Sequence, residues 1–335
     1  MHPGDPDSLP GMDWASLVDR VLAGDRRALA RVLTNVEDGA AEIVRTVVAA
    51  VHPHTGGAHL VGVTGSPGVG KSTLVSQLVA AWRQRQRSVA VVAIDPSSPF
   101  TGGALLGDRV RMQEHALDPG VFVRSMASRG HLGGLSWAAP QALGVLDAAG
   151  FDVVLLETVG VGQAEVEVAS VADTTVVTVA PGMGDAIQAA KAGILEVADV
   201  FCVNKADREG SDRTVRELQD MQRLAGGDHP EIPVLRAVAA RNEGVEALAD
   251  AIDAHRLDIS RDGRLETRRR ARARLEVREI ALDVLRLRFD VGEGSGGDHG
   301  GRGLDELAAE VADRRVDPYA AADELVARVE AGARQ

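Results

Sequence analysis

The stretch of sequence that decides the fold is residues 59–85, HLVGVTGSPGVGKSTLVSQLVAAWRQR. The apolar, β-branched residues at 59–64 predict a buried strand, and residues 73–85 have the pattern of a helix. Between them, Gly-x-x-x-x-Gly-Lys-Ser at 65–72 is typical of a loop whose backbone N–H groups surround a phosphate chain, with glycine where a Cβ would obstruct. The positive end of the next helix also favours a bound anion. The stretch therefore predicts a nucleotide-binding phosphate loop, against the alternative of a Gly-rich turn without a ligand.

Two side chains of this loop have predicted chemical roles. Lys71 is expected to reach the β- and γ-phosphate oxygens and to act in catalysis, and the Ser72 hydroxyl is expected to bind Mg²⁺. The predicted nucleotide contacts in the loop are Gly65, Ser66, Pro67, Gly68, Val69, Gly70, Lys71, Ser72 and Thr73.

Six further apolar runs predict the rest of a sheet. They occupy residues 88–94, 121–124, 152–157, 174–180, 200–204 and 232–238. Near-continuous Val, Ile and Leu runs of this length are typical of strands covered on both faces, and the helical stretches between them favour parallel pairing. We therefore predict an α/β fold with a mostly parallel central sheet flanked by helices, whose ligands lie beyond the carboxyl ends of the strands.

Carboxylates follow two of the other strands. Glu157 is expected to bind Mg²⁺ and to act in catalysis, and the backbone N–H of Gly160 is expected to meet the γ-phosphate. Asp95 and Asp108 are further predicted Mg²⁺ ligands, although a helix N-cap is nearly as good a role for Asp108. Val161 stands where small signalling GTPases carry a water-orienting Gln, so we expect slow turnover that rises when a partner completes the site.

The predicted strand at 200–204 ends in Asn204-Lys205-Ala206-Asp207. In this pattern the Asp carboxylate accepts both N1–H and N2–H of guanine, while adenine offers no such pair of donors. The pattern therefore predicts GTP as the nucleotide, against the alternative of an ordinary charged surface turn. A backbone N–H of Ala239 or Ala240, after the last strand, is the expected donor to guanine O6.

Composition excludes several classes of function. A net charge of −12 argues against attraction to nucleic acid or to an anionic membrane. No apolar run approaches the roughly 20 residues that cross a bilayer, so we expect a cytoplasmic protein. Cys202 is the one cysteine and is predicted to be buried and inert. The basic block at 268–274 is interpreted as a solvated or interface helix face rather than an RNA-binding patch.

Three segments are predicted along the 335-residue chain. Residues 1–57 form an N-terminal helical extension, residues 58–257 the nucleotide-binding domain and residues 258–335 a helical arm. The long helix of this arm is apolar on two sides, which predicts that one side packs on another subunit. The Gly-rich stretch 291–302 predicts a flexible linker, and Asp317-Pro318 predicts the start of the last helix.

Several strings are longer than general nucleotide-binding motifs, and through them the chain resembles the methylmalonyl-CoA mutase-associated GTPases of the MeaB/ArgK type. The strings are GSPGVGKST at 65–73, DPSSPFTGG at 95–103, LGDRVRM at 106–112, HLGGLS at 131–136, ETVGVGQAE at 157–165, PGMGDAIQAAKAGILEVADV at 181–200 and NKAD at 204–207. The resemblance covers nearly all of residues 58–257. It implies a GTPase chaperone that gates cofactor loading of an adenosylcobalamin-dependent acyl-CoA mutase and protects or rescues that mutase. It also implies a homodimer formed through the C-terminal arm.

The mutase-sensing segment of that family matches residues 181–193 here. The resemblance therefore implies partner-sensing roles for Gly184, Asp185, Gln188 and Lys191, with a tight turn and a solvated helix face as the alternative. Common members of the family carry a glycine and a second lysine near Ala190 and Ala192, which leaves open a client related to methylmalonyl-CoA mutase.

Two other functions compete with this interpretation. An ATP-dependent kinase or ATPase linked to amino-acid transport is an older description of the family, but Asp207 argues against ATP. A metallochaperone GTPase would need a Cys- and His-rich metal site, which a single cysteine does not supply. The chain also lacks an Asp-x-His-x-x-Gly signature, so we expect no bound cobalamin.

Overall fold

The computed structural model describes residues 13–96, 112–115, 117–128, 138–158, 164–182, 191–225, 231–291 and 303–332. The chain divides into two compact units, Met1–Arg269 and Arg270–Gln335. The three segments predicted from the sequence, with limits after residues 57 and 257, stay a prediction. None of the helices in the described ranges is both long and apolar enough to span a membrane.

The first unit contains, among its described residues, a seven-stranded sheet in which every neighbouring pair is parallel. The strands are β1 (His59–Thr64), β2 (Val89–Pro96), β3 (Val121–Ser128), β4 (Val153–Thr158), β5 (Thr174–Val179), β6 (Val200–Val203) and β7 (Val234–Arg236). Their order across the sheet is β3-β2-β4-β1-β5-β6-β7. Every residue of β1, β4, β5 and β6 is buried, as expected for strands covered on both faces. The predicted α/β fold is confirmed.

Twelve α-helices lie in the described parts of the chain. They are α1 (Trp14–Leu22), α2 (Arg26–Asp38), α3 (Ala41–Val51), α4 (Lys71–Gln84), α5 (Ala139–Ala148), α6 (Ala164–Val171), α7 (Lys191–Val197), α8 (Ser211–Ala225), α9 (Val245–Arg261), α10 (Arg264–Val291), α11 (Leu304–Ala312) and α12 (Pro318–Gly332). Short 3₁₀ turns occur at His52–His54, Gln113–His115 and Ala239–Arg241.

Apolar layers cover both faces of the sheet. On one face, α1, α2, α3 and α5 share a core with side chains of β2 and β4. On the other face, α4 and α9 pack on β1, β2, β4, β5 and β6, with Trp82 fully buried among them. Because β1 lies in the middle of this sandwich, the loop at its carboxyl end is held in the centre of one sheet edge.

The described residues of the N-terminal extension form α1, α2 and α3, and α2 also covers the edge strand β3. Glu37 near the end of α2 accepts hydrogen bonds at both carboxylate oxygens, from Arg124 Nη2 at 2.7 Å and from the backbone N–H of Ala127 at 3.1 Å. The N–H of Ala127 would otherwise be unpaired, because an edge strand has a neighbour on one side only.

The interpretation of the basic block as a solvated or interface face is wrong for its first two residues. Arg268 forms two hydrogen bonds to Asp199, at 2.6 and 2.8 Å, and Arg269 lies 3.4 Å from the carboxylate of Asp173. Asp173 and Asp199 precede β5 and β6, and their side chains are 1% and 9% exposed. Carboxylates buried this deeply need cationic partners, and the start of α10 supplies them.

The second unit contains the later part of α10 together with α11 and α12. The predicted start of the last helix is confirmed, because Asp317 Oδ1 accepts the backbone N–H groups of Tyr319 at 3.0 Å and Ala320 at 3.1 Å. Val291 belongs to α10 rather than to the predicted linker, and residues 292–302 lie outside the described residues.

Candidate nucleotide-binding site

The phosphate loop connects β1 to α4 and requires glycine for two separate reasons. Gly65, Gly68 and Gly70 have positive φ values of 137°, 79° and 95°, which side chains rarely tolerate. At two of these positions there is also no room for a side chain. A Cβ on Gly65 would lie 2.0 Å from the carbonyl oxygen of Thr178, and one on Gly70 would lie 2.6 Å from Asn204 Nδ2. The loop is therefore fixed against the ends of β5 and β6.

Lys71 and Ser72 form the first turn of α4, and both side chains line the end of the phosphate loop. Lys71 is 7% exposed, and its Nζ donates to the carbonyl oxygens of Gly65 at 2.6 Å and Ser66 at 3.1 Å. Ser72 Oγ donates to Glu157 Oε1 at 2.6 Å. Glu157 is paired in register with Val63 on β1, so the sheet itself places this carboxylate beside the loop.

A cavity of about 540 Å³ opens at this end of the sheet. It is lined by Pro67, Gly68, Gly70, Lys71, Ser72, Thr73, Ile94, Glu157, Thr158 and Lys205. Eight of these ten residues were predicted from the sequence, and Ile94 and Thr158 were missed. Each of the two is the chain neighbour of a predicted residue, Asp95 or Glu157, and that adjacency was the available signal.

Asn204 and Lys205 join the predicted guanine-reading segment to the phosphate loop. Asn204 is 2% exposed, donates from Nδ2 to the carbonyl oxygen of Val69 at 2.9 Å and accepts the backbone N–H of Ala239 at 3.0 Å. Lys205 adopts a positive φ of 56° and donates from Nζ to the carbonyl oxygen of Gly68 at 2.5 Å. The four-residue motif is thus part of the same rigid assembly as the loop.

Asp207 ends this segment at the surface, with its side chain 40% exposed. Its Oδ2 lies 3.6 Å from Arg241 Nη2. Of the two predicted donors to guanine O6, Ala239 already donates its N–H to Asn204. The role of Ala240 as a donor to guanine O6 stays a prediction.

Several predicted residues are not placed by the structure. Asp108, Gly160, Val161, Gly184, Asp185 and Gln188 lie outside the described residues. Asp95 lies on β2, paired in register with Ala127, and Lys191 begins α7. Only the backbones of these last two residues are described.

The side chains at the cavity fit a magnesium ion. Ser72 supplies a hydroxyl oxygen and Glu157 a carboxylate oxygen, 2.6 Å apart, and hard oxygen ligands of this kind are those that Mg²⁺ prefers. In the part of the chain that the structure describes, no group of three or more His, Cys, Asp or Glu residues is arranged to hold a metal.

Fold and site together define a P-loop nucleotide-binding protein, and comparison with known proteins gives its family. The chain belongs to the methylmalonyl-CoA mutase-associated GTPase MeaB family, whose model matches residues 29–293. The resemblance inferred from the sequence strings is thereby confirmed.

Three similar proteins illustrate the range of the family. A relative from Pyrococcus abyssi that carries the name of a GTPase is 45% identical over 320 residues, which cover 94% of this chain and 97% of that protein. The fused isobutyryl-CoA mutase of Cupriavidus metallidurans is 37% identical over 243 residues, covering 69% of this chain and 22% of that protein. A crystal structure described as an LAO/AO transport system kinase is 25% identical, with a TM-score of 0.68, and covers 96% of this chain and 100% of that one.

Proposed function

We propose that this protein is a Mg²⁺-dependent GTPase that gates and protects an adenosylcobalamin-dependent acyl-CoA mutase. The observation that carries the nucleotide assignment is the attachment of Asn204 and Lys205 to the carbonyl oxygens of the phosphate loop, at 2.9 and 2.5 Å. This attachment supports the proposal, because a carboxylate that reads the base of a bound nucleotide has to stand at a set distance from the phosphate loop.

The side chains at the cavity divide the work of hydrolysis. When a nucleotide binds, Lys71 would exchange its carbonyl partners in the loop for the β- and γ-phosphate oxygens and neutralise their charge. The dipole at the N-terminus of α4 would also favour the bound phosphates. Ser72 and Glu157 would hold Mg²⁺, which neutralises charge that develops on the phosphate oxygens during transfer. Glu157 replaces the Asp that is usual at this position, and its longer side chain already reaches Ser72 Oγ. We further propose that the backbone N–H of Gly160 contacts the γ-phosphate and that Asp95 and Asp108 are Mg²⁺ ligands.

The proposed client is an acyl-CoA mutase, because the fused isobutyryl-CoA mutase joins a matching segment to a mutase in one chain. Fusion of two activities supports a physical partnership between the corresponding separate proteins. Gly184, Asp185, Gln188 and Lys191 are proposed to sense this partner, and a homodimer in the cytoplasm is the proposed setting. Cobalamin is proposed to stay on the mutase.

Side-by-side affinities for GDP and ADP test the nucleotide assignment. We expect GDP to bind at least about 100-fold more tightly, because ADP leaves the Asp207 carboxylate without donors. Asp207→Asn should lose GDP affinity and gain affinity for xanthosine diphosphate, whose C2 carbonyl accepts from the new amide. Asp220→Asn, which alters an exposed Asp–Arg pair on α8, serves as the matched control. Equal binding of GDP and ADP would contradict the assignment.

GTP turnover in the presence of purified mutases tests the partner assignment. We expect isobutyryl-CoA mutase or methylmalonyl-CoA mutase to raise phosphate release by about tenfold or more, as partners do for GTPases that lack a complete site. Lys71→Ala supplies the inactive control for contaminating phosphatase. Turnover that neither mutase changes, together with no complex on gel filtration in the presence of a non-hydrolysable GTP analogue, would refute the proposal.

A kinase is the second candidate, and the likeness to the LAO/AO transport system kinase favours it. A kinase would transfer the phosphate to an acceptor other than water and would bind ADP at least as well as GDP. The affinity comparison above therefore separates the two candidates.

A further inference from the structure

The segment after β7 closes into a small loop beside Asp207. Val238 and Glu243 exchange two backbone hydrogen bonds, from Val238 N–H to the Glu243 carbonyl at 2.9 Å and in the reverse direction at 3.3 Å. The 3₁₀ turn Ala239–Arg241 fills the loop between them. Asn204 adds a third attachment through the N–H of Ala239, at 3.0 Å. The backbone that carries Arg241 is therefore fixed relative to the phosphate loop.

Arg241 extends from this loop to the carboxylate that is proposed to read guanine. Its Nη2 lies 3.6 Å from Asp207 Oδ2, and its Nε lies 3.0 Å from Glu243 Oε1. The guanidinium is thus held between two carboxylates, one of which belongs to the closed loop itself. Because Arg241 and Asp207 are about half exposed, the direct attraction between them is modest.

Asp207 has few other means of being oriented. Val238, Ala239 and Ala240, which follow β7, carry no hydroxyl or amide side chain. Within the described residues, Arg241 is the one side chain that pairs with Asp207. Without a partner, the terminal torsion of an Asp side chain is broadly distributed, and a rotating carboxylate presents two oxygens to one base edge only part of the time.

We propose that Arg241 is a positioning residue for guanine recognition, which orients the Asp207 carboxylate so that both oxygens face the base. This inference rests on the proposed function and deepens it. Arg241 Nη2 forms an ion pair with Oδ2 at 3.6 Å, and a carboxylate oxygen has two acceptor sites, so Oδ2 keeps its capacity to accept from guanine. Pre-organisation of this kind adds affinity without a new contact to the ligand, and Glu243 supports it by holding Nε.

Inosine diphosphate is the probe that isolates this effect, because it has N1–H but lacks the 2-amino group. A poorly oriented carboxylate can still accept one hydrogen bond, but it loses the paired arrangement that only guanine uses. We expect Arg241→Ala to weaken GDP binding about two- to fivefold, the range of an exposed charge pair, and to weaken IDP binding less. The ratio of GDP to IDP affinity should therefore fall, and Arg241→Lys should restore part of it.

Glu243 and Arg236 provide the internal comparisons. Glu243→Gln should lower the same ratio by a smaller factor and should add nothing in the Arg241→Ala background, since residues that act through one another are not additive. Arg236→Ala removes another exposed pair, in which Arg236 at the end of β7 lies 2.5 Å from Asp212 in α8, and it should leave the ratio unchanged. Arg241→Met keeps the aliphatic stem and replaces Arg241→Ala if that variant does not fold.

Isothermal titration calorimetry of the full chain with GDP, IDP and ADP measures all these dissociation constants. The Asp207→Asn variant distinguishes failure of the proposed guanine site from failure of the proposed role of Arg241. If Asp207→Asn leaves GDP affinity intact, the proposed guanine site itself is wrong. If Asp207→Asn lowers GDP affinity but both Arg241 variants keep the wild-type ratio of GDP to IDP affinity, only the role of Arg241 is overturned. Equal loss of GDP and IDP, or a gain in GDP affinity, also overturns it, because neither follows from orientation of a paired acceptor.

Discussion

Neutralising Asp199 should destabilise the first unit, at the end of the sheet opposite the nucleotide site. It precedes β6, is 9% exposed, and receives both Nη groups of Arg268, at 2.6 and 2.8 Å. His255 Nε2 lies 3.2 Å away and the backbone N–H of Thr175 donates to Asp199 at 2.8 Å. Asp199→Asn removes the charge while keeping the size of the side chain.

The pKa of Asp199 sets how much this carboxylate contributes to the free energy of unfolding. Burial by itself would raise this pKa, but the hydrogen bonds from Arg268 and His255 outweigh it and lower the pKa from 3.8 to about 2. At about 1.36 kcal/mol for each pH unit, the carboxylate contributes about 2.5 kcal/mol to folding at neutral pH. Because the folded-state pKa is the lower one, this contribution is complete well above pH 3.8 and is lost as the pH falls toward 2. About half of it should be gone by pH 3.

Urea unfolding of wild type and Asp199→Asn at pH 7, 5, 4 and 3 measures this contribution. We expect the free energy of unfolding to fall by about 2–4 kcal/mol at pH 7, the upper part because the half-buried Arg268 is left without its charged partner. The difference from wild type should shrink below pH 4. Asp220→Asn, whose pair with Arg223 is 63% and 73% exposed, should cost less than about 0.5 kcal/mol at every pH. Equal losses for the two variants would refute the assignment of Asp199 as a buried anchor.

Three further outcomes follow from the structure. Gly65→Ala should destabilise the fold by at least about 2 kcal/mol in thermal unfolding, because the new Cβ would meet a backbone carbonyl. Gly150→Ala is the control: it has open space around it and should cost about 1 kcal/mol. Cys202 should resist a maleimide at pH 8 until denaturant is added, since burial raises its pKa to about 12; rapid labelling of the folded protein would contradict this. Ser72→Ala should raise the Mg²⁺ concentration for half-maximal GTP hydrolysis about tenfold or more, and an unchanged value would remove Ser72 from the metal site.

The sheet could be predicted from the sequence because its strands are buried on both faces. A run such as Val153–Thr158 has to be apolar over its whole length, so local composition is sufficient to locate it. The edge strand β3 was predicted to end at Arg124, yet it continues to Ser128. Residues 125–128, Ser-Met-Ala-Ser, have little strand propensity, but they pair with residues 93–96 of β2, and Glu37 in α2 accepts the N–H of Ala127. Local propensity cannot reveal a partner 90 residues away in the chain.

The limits of sequence reasoning are similar at the basic block. A run of arginines on a helix looks solvated, since nothing near it in sequence demands pairing. The carboxylates that recruit Arg268 and Arg269 are 69 and 96 residues away, and only the folded sheet brings them to the start of α10. Likewise, the motif at 204–207 predicted a carboxylate that reads the base, but it carried no signal that Arg241 lies beside that carboxylate.

The phosphate loop and the base-reading segment are better regarded as one structure than as two motifs. Strand β5 lies between β1 and β6, and its Thr178 carbonyl occupies the space where a side chain on Gly65 would be. Asn204, at the end of β6, closes the corresponding space at Gly70. The glycines are therefore required by neighbouring strands as well as by a phosphate chain. Any shift of β6 relative to β1 would strain the loop, so the geometry of the loop also sets the position of the segment that carries Asp207.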